Sequence, residues 1–163
     1  LDTTGFIAKY HLSLDPVKTI VYTTSSVVSE VKDYESREAL DLGLDIGRVN
    51  ILDPPRDIVE SVYRVASRIG EHVKLSRTDV EIAGLALYLS KGGRVVVITD
   101  DYSLQNLLYH LNISFKPLRT TGIDKPRKYI VYCSICGYVP GDKSEVECPI
   151  CGVVLKRRVN TSS

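Results

Sequence analysis

The sequence predicts an α/β protein: a mostly parallel sheet flanked by helices, followed by a small cysteine-bound C-terminal unit. Three observations carry this expectation. Short β-branched runs alternate with segments of helical period. The run Val95-Val96-Val97-Ile98 is apolar throughout, as in strands buried on both faces of a parallel sheet. All four cysteines fall in residues 133–151 as two C-x2-C pairs.

The elements follow in order. Leu1 reads as the end of a strand, Asp2 as an acidic corner, and Thr3 or Thr4 as the cap of a helix. The chain contains no methionine, and a few apolar residues are expected to precede Leu1. Thr19 to Thr23 reads as a strand. Thr24-Ser25-Ser26 then opens a helix whose Val27, Val28 and Val31 place Glu30 at or near an apolar face. A rim salt bridge is the structural reading of Glu30, a metal ligand the functional one. Residues 33–47 are charged, with Ser36 to Leu40 helical and Gly43 and Gly47 as punctuation.

Val49 to Leu52 is the next strand, and Pro54-Pro55 starts a helix. Its Ile58, Val62, Val65 and Ile69 form one stripe, with Arg56, Arg64 and Arg68 on the solvated face. Leu75 to Glu81 opens another helix, with Thr78 and Glu81 at capping-box spacing. Asp79 then sits in the first turn, where the helix dipole favours it. After the valine run come Thr99, Asp100 and Asp101. Ser103 reads as the N-cap of a helix from Leu104 to Leu111, and Ile113 to Phe115 as a last strand.

Asp100 and Asp101 therefore lie where a strand ends and a helix begins, the edge at which open α/β sheets bind ligands. Paired carboxylates there are costly unless a cation or basic partner neutralises them. The charge distribution is split as well. Residues 1–118 carry 13 lysines and arginines against 16 acids; residues 119–163 carry 8 against 4. An acidic body suits cations, and a basic tail suits a polyanion. No apolar run approaches the roughly 20 residues of a membrane span.

The C-terminal cysteines, Cys133, Cys136, Cys148 and Cys151, can aim four thiolates at one ion. Four thiolates close a tetrahedral shell and leave no open position, so the site is structural, and zinc suits it. Tyr129 to Tyr132 and Val153 to Leu155 flank the pairs as strands. Iron in a rubredoxin-like setting is the alternative.

Together, Asp2, Glu30, Asp79 and Asp101 resemble the acid pattern of PIN-domain nucleases. Three stretches resemble one branch more closely: Tyr22-Thr23-Thr24 with Glu30-Val31-Lys32-Asp33, Leu75 to Asp79, and Thr99-Asp100-Asp101-Tyr102-Ser103-Leu104-Gln105-Asn106. They are similar to the archaeal-type Nin-one-binding protein family, which joins a PIN domain to a C-terminal zinc ribbon. The resemblance implies a PIN-like nuclease domain over 1–117, a linker over 118–128, a zinc ribbon over 129–158 and a tail over 159–163.

It further implies a cytoplasmic endoribonuclease that cuts precursor rRNA at the 3′ end of the small-subunit rRNA. Asp2, Glu30, Asp79 and Asp101 carry over as ligands of catalytic Mg²⁺ or Mn²⁺, with adjacent Asp100 as a further candidate. Ser103 stands where a fifth acid often follows in this pattern. The implied partners are single-stranded precursor rRNA, the small-subunit precursor particle and a KH-domain assembly factor; no membrane is involved.

The basic residues expected to hold RNA are Arg119, Lys125, Arg127, Lys128, Lys143, Lys156, Arg157 and Arg158. Tyr102, Tyr129, Tyr132 and Tyr138 are candidates for base stacking or for packing the ribbon. His11, His72 and His110 have no acid-base partner in sequence, which disfavours a two-histidine mechanism. Three other readings compete: a non-catalytic assembly factor, a toxin-type PIN ribonuclease, which the ribbon disfavours, and a rubredoxin-like electron carrier.

Overall fold

The computed structural model describes residues 1–142 and 144–161. Lys143, an expected RNA contact, lies outside them. The chain runs through α1 (Thr3–Ile7), a 3₁₀ turn (Tyr10–Leu12), β1 (Val21–Thr23), α2 (Ser25–Glu30), α3 (Tyr34–Asp45), β2 (Val49–Ile51) and α4 (Arg56–Ile69). It continues with α5 (Arg77–Leu89), β3 (Val96–Ile98), α6 (Tyr102–His110), β4 (Ser114–Lys116), β5 (Tyr129–Tyr132) and β6 (Lys156–Val159). None of these helices is long and apolar enough to cross a membrane.

β1 pairs parallel with β2, and β3 pairs parallel with β4. Residues 1–2 join the two pairs. The Leu1 nitrogen donates to the Tyr22 carbonyl at 2.7 Å, and the Asp2 amide donates to the Ile98 carbonyl at 3.3 Å. The Thr23 hydroxyl returns a bond to the Leu1 carbonyl at 3.0 Å. Leu1 and Asp2 thus occupy a central strand position, with β1 on one side and β3 on the other.

The core lies between this sheet and its helices. Phe6, Val27, Leu40, Val62, Ala66 and Ala83 are completely buried there. Three leucines of α6, Leu104, Leu107 and Leu108, join them, as the predicted stripe requires. The two alanines let α4 and α5 approach closely.

Four local expectations are corrected. Asp2, not Thr3 or Thr4, caps α1. Asp101, not Ser103, caps α6: its carboxylate accepts from the Leu104 amide at 2.8 Å. Ser76 and Asp79, not Thr78 and Glu81, form the capping box of α5. In each case an acid or hydroxyl closer to the preceding segment reaches the orphan amides first. Finally, Val96 is 43% exposed, so the valine run is covered on both faces only at Val97 and Ile98. The strands are three residues long, and Val96 stands at the open end, just past the Gly92-Gly93 turn.

β5 and β6 form an antiparallel pair around a second small core of Val131, Cys133, Cys148 and Leu155. The strand expected over Val153 to Leu155 reduces to one bridge between Val154 and Glu147, and the pairing strand begins at Lys156. The second cysteine turn takes up Val153 instead, whose carbonyl accepts from the Cys148 amide.

This second unit is fastened to the first by a buried polar network. Glu71, fully buried between α4 and α5, forms an ion pair with Arg157 of β6. Its other oxygen accepts from Asn106 of α6 at 2.7 Å. Arg157 also donates to the Ser103 hydroxyl at 3.1 Å and lies 4.2 Å from the Tyr129 ring centroid. Burial lowers the Arg157 pKa from its ordinary value. Arg157 is therefore corrected from the expected RNA contacts: its charge is spent inside the protein. Gly70 (φ +75°) permits the approach of β5, because a Cβ there would meet the Tyr129 carbonyl at 2.5 Å.

The connecting segment is pinned along α6. Asp100 Oδ1 accepts from the amides of Leu118, Arg119 and Thr120 at 2.8, 2.9 and 3.2 Å. Gln105 accepts from the Ile123 amide, and Asn106 bonds both to the amide and to the carbonyl of Arg127.

Breaking a buried ion pair by removing one partner costs about 3–5 kcal/mol. Arg157→Ala is expected to destabilise the protein by that amount in urea unfolding. Adding Glu71→Gln should recover part of the loss, since it removes the stranded charge.

Candidate active site and metal centre

The acidic rim forms where residues 1–2 and β3 end. Thr99, fully buried, is its organiser. Its hydroxyl donates to Asp2 Oδ2 at 2.8 Å and accepts from the Asp101 amide at 3.1 Å. The other Asp2 oxygen accepts from the Thr3 amide at 2.6 Å. The Thr3 hydroxyl in turn donates to Glu30 at the end of α2 at 2.9 Å. One chain of bonds thus runs from Asp101 through Thr99, Asp2 and Thr3 to Glu30. Asp79 enters from the first turn of α5, with Oδ2 accepting from the amide and the hydroxyl of Ser76, each at 2.8 Å.

The electrostatics are those of crowded like charges. Burial, with the charges of Asp2 and Asp101 adding to it, pushes the Asp79 carboxyl up to about 6 despite its bonds to Ser76. Burial also raises Asp2, against the bonds from Thr99 and Thr3, and Asp101 adds to the rise. Among the described residues no lysine, arginine or histidine stands within ion-pair distance of Asp2, Glu30, Asp79 or Asp101. The Leu1 ammonium acts on Asp2 alone, and hard oxygen donors without a side-chain countercharge fit a hard divalent cation. The rim acids do not converge as a ready ligand shell: among the described residues only the cysteines bring three or more potential ligand atoms within 4.8 Å of one another.

Asp100 points elsewhere. Desolvation works upward on it, but the amides of Arg119, Leu118 and Thr120 together hold its carboxyl below the ordinary value. It fastens the connecting segment to the rim and leaves Arg119 exposed beside it.

Sequence reasoning missed Thr99, Thr3 and Ser76. Each had a signal: Thr99 directly precedes the aspartate pair, Thr3 follows Asp2, and Ser76 stands three residues before Asp79. The histidines do not enter the rim. His11 is buried and bonds to the Ala39 carbonyl, His72 bonds to that of Glu145, and His110 to that of Arg127.

The cysteines form two matching knuckles. The Cys133 amide donates to the Tyr138 carbonyl, and the Cys148 amide to that of Val153. Gly137 and Gly152 close the turns at φ +76° and +65°. The amides of Ile135 and Cys151 each donate to a sulfur at 3.4 Å. All four sulfurs lie within 4.8 Å of one another, and Cys136 and Cys148 are 3.7 Å apart. A tetrahedral shell with metal–sulfur bonds of about 2.3 Å needs sulfurs about 3.8 Å apart, so the set fits zinc. Without a cation the thiols cannot all ionise together. Bonds from the Cys136 and Ile135 amides draw Cys133 down to about 7, while Cys136, desolvation and Cys133 push Cys151 up to about 12.

Of the other expected RNA contacts, Arg119, Lys125, Arg127, Lys128, Lys156 and Arg158 are exposed. Arg158 lies over Tyr132, 5.2 Å from the ring centroid. Tyr138 packs on the small core and donates to Glu145, whereas Tyr102 is 50% exposed beside Asp101.

Residues 1–89 match the family described as the PIN domain of ribonuclease, so the chain belongs to the PIN-domain ribonucleases. It is 37% identical over 163 residues to the endoribonuclease Nob1 of Methanothermobacter thermautotrophicus, covering 98% of this chain and 93% of that protein. Within the PIN-domain enzymes it belongs to the Nob1 endoribonucleases. Ribonuclease VapC1 of Thermoplasma acidophilum is 30% identical over 157 residues, 96% of this chain and 76% of that protein. The 20S-pre-rRNA D-site endonuclease NOB1 of Saccharomyces cerevisiae is 27% identical over 89 residues, 55% of this chain and 19% of that protein.

The raised Asp79 pKa has a stability consequence. Its stabilising contribution is present below the unfolded value of 3.8 and is lost as pH rises through about 6. Asp79→Asn is therefore expected to stabilise the protein at pH 7.5 by about 1 kcal/mol, reduced from the full shift because water reaches the carboxyl. The gain should vanish near pH 4. Thermal unfolding at both pH values, without Mg²⁺ or Mn²⁺, checks this.

Proposed function

We propose that this endoribonuclease cleaves single-stranded precursor rRNA at the 3′ end of the small-subunit rRNA, with Asp2, Glu30, Asp79 and Asp101 as its catalytic acids. The observation that carries the reading is the rim itself: burial and the charges of Asp2 and Asp101 raise Asp79, burial and Asp101 raise Asp2, and no lysine, arginine or histidine among the described residues pairs with these acids. The pre-rRNA endonuclease name of the yeast relative and the Nob1 likeness across the chain support the substrate.

A bound Mg²⁺ or Mn²⁺ supplies Lewis-acid activation of water and stabilisation of the leaving oxygen. The protein's own groups supply the alignment. Thr99 and Thr3 fix both oxygens of Asp2, and Thr3 also fixes Glu30. Ser76 holds Asp79 Oδ2 and leaves Oδ1 for the rim. Hydrolysis of this type leaves a 5′-phosphate and a 3′-hydroxyl.

The working division is a nuclease body over 1–117, a linker over 118–128, a zinc ribbon over 129–158 and a tail over 159–163. Cys133, Cys136, Cys148 and Cys151 hold structural zinc. Arg119, Lys125, Arg127, Lys128, Lys156 and Arg158 supply phosphate contacts. The setting is the cytoplasmic small-subunit precursor particle, with a KH-domain assembly factor as partner. The likeness to a ribonuclease named VapC1 over 96% of the chain keeps a ribonuclease with another substrate as the competing reading, and the substrate cut distinguishes the two.

With Mn²⁺, the protein is expected to cut an RNA spanning the 3′ end of small-subunit rRNA at one position. Asp79→Asn should lower the rate at least ~100-fold, a loss of about 3 kcal/mol in transition-state stabilisation, while RNA affinity is kept. Binding by both proteins with cleavage by neither would instead mark a non-catalytic assembly factor. Mass spectrometry under native conditions should find one zinc per chain, and Cys148→Ser should lose it together with the β5–β6 pairing.

A further inference from the structure

A cleft of about 600 Å³ opens at the seam between the two units, away from the acidic rim. One wall is the end of α4 and its following turn, with Val65, Ser67, Arg68 and His72. The other is the ribbon, with Lys128, Tyr129, Val139 and Pro140, and His110 closes the end of α6. Among the described residues no acidic one lines it; Asp142 lines a neighbouring hollow together with Arg64 and Arg68.

Two kinds of group there have unused capacity. Arg68 and Lys128 are exposed cations, and neither side chain has an ion-pair partner among the described residues. Ser67 and His72 are 8% and 5% exposed, and each keeps a buried polar atom, Oγ and Nδ1, with no hydrogen-bond partner. His72 Nε2 donates to the Glu145 carbonyl at 3.0 Å, so Nδ1 of the neutral ring is an acceptor. Both atoms are sealed beneath the wall, so what the cleft presents directly is the pair of cations at its mouth. Val65, Val139 and Pro140 add an apolar surface to the lining.

We propose that this cleft binds one unpaired nucleotide of the RNA strand, its base against Val139 and Pro140 and its phosphate between Arg68 and Lys128. α6 carries Asp101 at its first end and His110 at its last. Nine helical residues span about 14 Å, so the cleft would hold the strand a few nucleotides from the cut. The charge of the mouth favours a polyanion over a protein partner. The proposal rests on the ribonuclease reading for the identity of the strand, and on the cleft alone for the site.

The test is binding of a fluorescein-labelled 12-nucleotide single-stranded RNA, followed by anisotropy with the full chain, and Mn²⁺-dependent cleavage of the same RNA. The double variant Arg68→Ala/Lys128→Ala is expected to weaken binding at least tenfold and to reduce the salt slope by about 0.7, as for one lost phosphate contact. Val139→Asp, at a position already 54% exposed, should weaken it similarly without disturbing the fold. Arg94→Ala, outside the cleft, should change affinity less than twofold. In cleavage, the cleft variants should raise KM and leave kcat within twofold. Unchanged affinity in both cleft variants overturns the proposal, whether or not the RNA is cut. Failure of the unaltered protein to cut, with the affinity losses as expected, sinks the nuclease reading and leaves the cleft standing.

Discussion

Glu71 is fully buried, and its countercharge comes from the far side of the seam. That constraint fixes the molecule. A carboxylate buried between α4 and α5 is tolerable only while Arg157 and Asn106 reach it. Arg157 can do so only if β6 packs against α6 and Tyr129 lies under the guanidinium. The small unit is therefore held by a charge requirement of the large one, and its orientation follows from the fork geometry of one arginine.

α6 translates that arrangement to the acidic rim. Its first turn is capped by Asp101, its middle carries Gln105 and Asn106 to the connecting segment, and its apolar stripe is locked in the core. The polar residues of the Asp-Asp-Tyr-Ser-Leu-Gln-Asn stretch divide the labour. Asp101 faces the rim, whereas Asp100, Ser103, Gln105 and Asn106 face the linker and the ribbon. Adjacent aspartates with opposite duties follow from the corner between β3 and α6, where successive side chains point apart.

Much of the architecture was legible because strand and helix periods are strong signals. Leu104, Leu107 and Leu108 of the α6 stripe, Val62 and Ile69 of the α4 stripe, and Cys133 and Cys148 of the cysteine pairs are buried in the structure. The rim acids were legible only as a set, since Asp2, Asp79 and Asp101 each also serve as helix-terminal caps or partners. What stayed hidden depends on contacts distant in sequence. Thr99 meets Asp2 across 97 residues, and Glu71 meets Arg157 across the seam. No local pattern distinguishes Arg157 from its exposed neighbour Arg158, because burial is decided by which face of β6 turns to α6. Cap positions were misplaced for a related reason: several hydroxyls and acids compete for the same amides, and three-dimensional reach decides among them.

The pinned connecting segment says where this chain has freedom to change length. Residues 118–120, 123 and 127 are each held by a side chain of the α6 region, while 124–126 are exposed between pins. Extra residues placed between Asp124 and Pro126 would loop outward and leave every pin in register. A deletion there would pull Ile123 or Arg127 off its partner and strain the seam. The segment thus behaves as a stitched hem with one slack interval, at which a larger protein built on the same plan could carry an insertion.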